Sequence, residues 1–172
     1  MKNKNPAVKA ITVVDLSPMS GQIWIGDPCY VIRDREWNTI VRLMFGDDEY
    51  SMDQMYEIEF SDRKRFQFFI WHAGDDGDYA VMVQNSKIGE VCVDSGSLSF
   101  MPTELVDRLM AIYPDNSGLA GCVVTVSSPE IPEAISKGGV LGSVSVPCED
   151  PMLEEEEPEE EDTDDDSEDN DE

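Results

Sequence analysis

Arg65-Phe66-Gln67-Phe68-Phe69-Ile70-Trp71-His72-Ala73-Gly74-Asp75-Asp76-Gly77-Asp78-Tyr79-Ala80-Val81-Met82-Val83 is the stretch on which the reading of the fold turns. Residues 65–72 are aromatic and β-prone, residues 74–78 have the Gly/Asp composition of a turn, and residues 79–83 are β-prone again. Read locally, this is a β-hairpin with a loop of about five residues.

Outward from that hairpin the same signals repeat. On the N-terminal side, residues 10–14 are β-branched, and residues 22–25 form a strand that stops at Gly26-Asp27-Pro28. Asp34 is placed as an N-cap for a helix in which Trp37, Ile40, Val41 and Met44 share one face. Residues 47–64 are acidic and ambiguous, with an alternating strand pattern at 55–60. On the C-terminal side, Asn85-Ser86 marks a turn, and residues 88–93 and 98–100 continue the strands. Pro102 sits at the first position of a second helix faced by Leu105, Val106, Leu109 and Ile112. Residues 119–127 read as a buried strand, 128–139 as a loop, and 140–146 as a last strand. Trp24, Trp37, Trp71, Cys92 and Cys122 sit in apolar surroundings and are expected in the core. About seven strands and two helices in this order give an α+β fold with a largely antiparallel sheet. The expected boundaries are a frayed N-terminus at 1–9, a single domain at 10–147 and a disordered polyacidic tail at 148–172.

Charge limits function. The chain has 172 residues, 12 Lys+Arg, 38 Asp+Glu and a net charge of -26. Residues 149–172 hold 17 of the acids and no base, which leaves the preceding 148 residues with 21 acids, 12 bases and a net -9. Duplex DNA binding by a basic face and attachment to anionic membranes are both disfavoured. No signal peptide and no apolar run of about 18 residues is present, so the expected location is the cytoplasm, with Cys29, Cys92, Cys122 and Cys148 as free thiols. No CxxC spacing, phosphate-binding loop or nucleophile elbow occurs. The short run Arg63-Lys64-Arg65, flanked by acids, reads as a solvated strand entry.

Three segments together carry a family resemblance: Ile25-Gly26-Asp27-Pro28-Cys29-Tyr30, Gly74-Asp75-Asp76-Gly77-Asp78-Tyr79, and Val93-Asp94-Ser95-Gly96. In order and spacing the set resembles a group of small bacterial and phage proteins that carry IGDPCY, GDGxY and VDSG or VDAG turns. The middle motif here has one extra acidic residue. The resemblance implies a prokaryotic or phage origin and no particular activity; for a phage protein the location would be the host cytoplasm.

Each motif sets an Asp beside a Gly at a strand end. Asp27, Asp75, Asp78 and Asp94 would suit a hard divalent cation, Ca²⁺ or Mg²⁺, if they converged; otherwise Asp and Gly are simply good turn formers. Cys29 and His72 are the pair from which a thiol nucleophile could be built, given hydrogen-bond contact. The acidic tail cannot bury enough apolar surface to fold alone: Leu153 is its last aliphatic residue, and no aromatic follows Tyr113. Its carboxylates, among them Glu154, Glu155, Glu156, Glu157, Glu159, Glu160, Glu161, Asp162, Asp164, Asp165 and Asp166, form an interaction tail for a basic protein partner. The leading expectation is therefore a non-enzymatic, phage-encoded interaction protein without a cofactor. The alternative is a small enzyme or a Ca²⁺- or Mg²⁺-binding or other ligand-binding domain, with its site at the Asp-Gly turns and Cys29.

Overall fold

Residues 6–46, 53–113, 121–135 and 138–148 are described in the computed structural model. They form β1 (Val8–Val14), β2 (Met19–Gly26), α1 (Asp34–Met44), β3 (Gln54–Phe60), β4 (Arg65–His72), β5 (Gly77–Val83), β6 (Ser86–Val93), β7 (Ser97–Pro102), α2 (Thr103–Ile112), β8 (Cys122–Glu130), β9 (Glu133–Ile135), β10 (Gly138–Leu141) and β11 (Val144–Pro147). The fold is α+β, with two helices and two sheets. One sheet has the strand order β1-β3-β4-β7-β2-β8, the other β6-β5-β11-β10-β9. Every neighbouring pair is antiparallel.

The sequence of β4 explains the layering. Phe68, Phe69, Ile70 and Trp71 are each at most 2% exposed, so this strand needs cover on both faces. Phe69 and Trp71 join Ile23, Ile25, Leu98 and Phe100 of the six-stranded sheet and pack on Val81, Val91, Val93, Leu141, Val144 and Val146 of the five-stranded one. The Trp71 and Phe100 rings lie 4.5 Å apart at the middle of this core. Phe68 and Ile70, one residue out of phase, join Trp24, Tyr56 and Ile58 against Ile40 and Met44 of α1 and Leu105, Val106 and Leu109 of α2. The six-stranded sheet is thus the middle layer, between helices and a second sheet.

This layering overturns the hairpin. Strand β4 pairs with β3 and β7, whereas β5 pairs with β6 and β11 in the other sheet. The Gly-Asp loop is a corner between sheets. Gly74, at φ +99, supplies the backbone conformation that the corner requires. The true hairpin is β5–β6, turning at Gln84 and Asn85 with φ +49 and +65, the two positive angles of a type I′ turn.

Other expectations shift too. The first strand starts at Val8 rather than residue 10, because Val8 is 8% exposed and reaches the helix-side core. Asp34 does not cap α1; Arg33 stands at the cap without a side-chain hydrogen bond, and Asp34 is the first helical residue. Strand β8 is an edge strand buried on one face only, with Val123 52% exposed, rather than a buried strand. The expected loop at 128–139 contains the end of β8, β9 and the start of β10, and the expected last strand is the hairpin β10–β11. Cys92 and Cys122 are half-buried, not core. Trp24 and Trp71 are in the core as expected, and Trp37 packs on it half-buried. Arg65 is an exposed strand entry, paired with Glu57 and Glu59 across β3. The acidic segment beyond Cys148 lies outside the described residues.

Candidate functional site

Strand β2 ends at Gly26, whose cross-strand partner is Ser99 of β7, and the Ser99 hydroxyl donates to the Gly26 carbonyl at 2.9 Å. Asp27 therefore leaves the sheet beside the turn that feeds β7. That proximity brings two of the sequence motifs together across 67 residues.

Asp27 is 0% exposed. Its Oδ1 accepts the Cys29 N–H at 2.9 Å and the Ser95 O–H at 2.6 Å. Its Oδ2 accepts the N–H groups of Asp94 and Ser95, both at 2.7 Å. Pro28 then opens a 3-10 turn over Pro28–Tyr30, which needs no N–H from its first residue. At the far end of that turn, the Tyr30 hydroxyl donates to the Asp94 carboxylate and lies 3.7 Å from Cys92 Sγ. The middle motif joins through its backbone, at residues 73 and 74. Ala73 N–H donates to the Gly96 carbonyl at 2.9 Å, and a Cβ on Gly96 would stand 3.3 Å from the Gly74 carbonyl oxygen. The three motifs thus build one hydrogen-bonded corner.

The four candidate carboxylates do not converge on one point. Asp27 faces donors on both oxygens, a setting that satisfies an anion and presents N–H hydrogens, not oxygens, to anything beside it. Asp94 takes the Tyr30 hydroxyl. Asp75 and Asp78 lie elsewhere, with Asp76, Tyr79 and Pro147, around a shallow depression of about 360 Å³. Among the described residues, no three His, Cys, Asp or Glu side chains are grouped to hold a metal ion.

Cys29 is half-buried beside Asp27. Burial first, then the hydrogen bond and charge of Asp27, push its thiol up to about 12. An activated nucleophile needs the opposite shift. His72 accepts the Gly74 N–H on Nδ1 at 2.9 Å, and among the described residues no hydrogen bond joins it to Cys29. Tyr30 is held above the ordinary tyrosine value, chiefly by its bond to Asp94.

Sequence reasoning named Asp27 and Asp94 but missed Ser95 and Tyr30, which complete the corner. The available signal was Asp27-Pro28-Cys29, an Asp two residues before a free N–H, which is the spacing of a side-chain cap. Nothing local marks Ser95 as its second partner. No protein-family model, curated protein or solved structure matches this chain.

Proposed function

We propose that the chain is a non-enzymatic interaction protein, phage-encoded and acting in the host cytoplasm, whose acidic segment engages a basic surface on a partner protein. The observation that carries this reading is the charge of residues 149–172, with 17 carboxylates and no base. Two features of the body support it. The Asp27 carboxylate, the Ser95 hydroxyl and the Tyr30–Asp94 pair are taken up in holding turns together. Moreover, Lys9, Arg35, Lys64, Arg65, Lys87 and Arg108 each pair with a carboxylate of the body itself, which favours an external partner over a basic face of this chain. A polyanion of this kind steers association through long-range field and weakens steeply as salt screens it.

The test compares the full chain with a full-length variant in which the Asp and Glu residues of 154–166 are changed to Asn and Gln. Both are used for affinity capture from the native host, and the binding of captured proteins is then followed against salt concentration. The expected result is a Lys/Arg-rich partner that the variant loses and whose affinity falls with rising salt. Binding that survives both neutralisation and high salt overturns the reading.

A further inference from the structure

The Asp27–Pro28 peptide bond lies at the centre of the corner and has chemistry of its own. The proline nitrogen belongs to a tertiary amide and carries no N–H. It is a more basic leaving nitrogen than that of an ordinary peptide. In acid, the neighbouring side-chain carboxyl oxygen adds to the Asp27 carbonyl carbon. A C–O bond forms, the C–N bond to Pro28 breaks, and the prolyl nitrogen takes a proton and departs as a secondary amine. Water then opens the five-membered anhydride and restores the carboxyl group. The net reaction is hydrolysis, with water as the co-reactant.

We infer that the Asp94–Ser95 turn seals this bond, so that Asp27–Pro28 is a latent self-cleavage site exposed only when the corner opens. Both Asp27 oxygens are held by the Cys29, Asp94 and Ser95 N–H groups and the Ser95 hydroxyl. Turning either oxygen onto the Asp27 carbonyl breaks two of those bonds. Asp27 and Pro28 are both buried, so the water that completes the reaction is excluded as well. The titratable groups facing the carboxylate are the Cys29 thiol, the Asp94 carboxyl and, through Asp94, the Tyr30 hydroxyl. None is a cation, and among the described residues no Lys, Arg or His hydrogen-bonds Asp27.

The sequence contains a second such bond, Asp150–Pro151, outside the described residues, and it serves as a clock in denaturant. The full chain is held at the lowest pH at which tryptophan fluorescence remains that of the folded protein, with and without concentrated urea. Mass spectrometry counts fragments 1–27 and 28–172 until the urea sample has cleaved at both bonds. In urea the two bonds are expected to cleave at rates within a few-fold. In the folded chain, cleavage at 27–28 should slow about tenfold or more, since it must wait for local opening. Ser95→Ala, shown to be folded by the same fluorescence, should fall between these limits, and Asp27→Asn should abolish cleavage at 27–28 in urea while leaving 150–151 intact as a cleavage site. A folded-state rate within about twofold of the urea rate, where no protection by local structure exists, overturns the inference. So does a folded Ser95→Ala chain that cleaves no faster than wild type.

Discussion

Replacing Asp27 by Asn separates a buried anion that organises the corner from an ordinary turn residue. The two side chains have nearly the same shape, and Asn is as good a turn and cap former as Asp. In this corner, however, all four partners of Asp27 are donors: Cys29 N–H, Asp94 N–H, Ser95 N–H and Ser95 O–H. With its NH₂ group on the Oδ2 side the amide leaves the Asp94 and Ser95 N–H groups without an acceptor; turned the other way, the Ser95 hydroxyl rotates to accept from the NH₂ and the Cys29 N–H alone is orphaned. That second orientation is the cheaper one: one orphaned buried donor costs about 1–3 kcal/mol, and the bonds that remain lose the strength of a charged acceptor. The losses are not additive, because the 94–96 turn relaxes, and a net cost of about 2–4 kcal/mol is expected. With a urea slope of about 2 kcal/mol/M, the unfolding midpoint should fall by about 1–2 M. Trp24 and Trp71, 3% and 0% exposed, report the transition by fluorescence. Asp75→Asn and Asp78→Asn, at exposed positions, should stay within about 0.5 kcal/mol of wild type. An Asp27→Asn chain within about 1 kcal/mol of wild type at unchanged slope would refute the reasoning, since one full hydrogen bond is worth that much.

Three further outcomes follow from the same structure. Cys29, with its thiol raised from 9.0 to about 12, should resist alkylation at neutral pH; because the raised value favours the protonated folded state, the stability it contributes is complete below about pH 9 and lost as pH climbs through about 12, readable in urea midpoints against a Cys29→Ser control. Gly139→Ala should lower stability by about 1–3 kcal/mol in the same assay, because its Cβ would sit 2.5 Å from the Trp71 ring. Tyr113, whose hydroxyl donates to the buried Glu36 carboxylate at 2.5 Å, ties the end of α2 to the start of α1; Tyr113→Phe should cost about 1–3 kcal/mol, and a double-mutant cycle with Glu36→Gln should show coupling rather than additivity.

The helices were legible because their signal is local. Ile40 and Met44, and Leu105, Val106 and Leu109, recur at helical spacing, and the structure buries those residues. Strand pairing was not legible, because a corner between sheets and a hairpin turn use the same residues. Phe68-Phe69-Ile70-Trp71 and Tyr79-Ala80-Val81-Met82-Val83 are both unbroken apolar runs, yet the first is buried on both faces and the second only at Val81. The difference lies in what each strand is packed against, and that is set by residues far away in the chain. The candidate site divides in the same way. The meeting of the motifs at one end of the fold could be anticipated from their shared strand-end placement. Its chemistry could not, because the turn joins Asp27 to amides of residues 94 and 95 rather than to their carboxylate.

That distinction bears on where the activity of this chain resides. A buried carboxylate with every lone-pair direction filled by backbone N–H and hydroxyl donors contributes specificity of fold: it fixes where β2 ends, where β7 begins and how the corner at Gly74 meets them. Its solvation has been replaced by the protein, so it holds little reserve for a ligand. The unspent polarity lies in the acidic segment and in exposed acids such as Asp75, Asp76 and Asp78, while among the described residues Lys9, Arg35, Lys64, Arg65, Lys87 and Arg108 pair locally with body carboxylates. At physiological salt, a field from such charges extends about 8 Å before it is screened. A partner must therefore bring its cations to within roughly that distance, so the recognition we propose depends on matching basic charge over a surface rather than on filling a pocket.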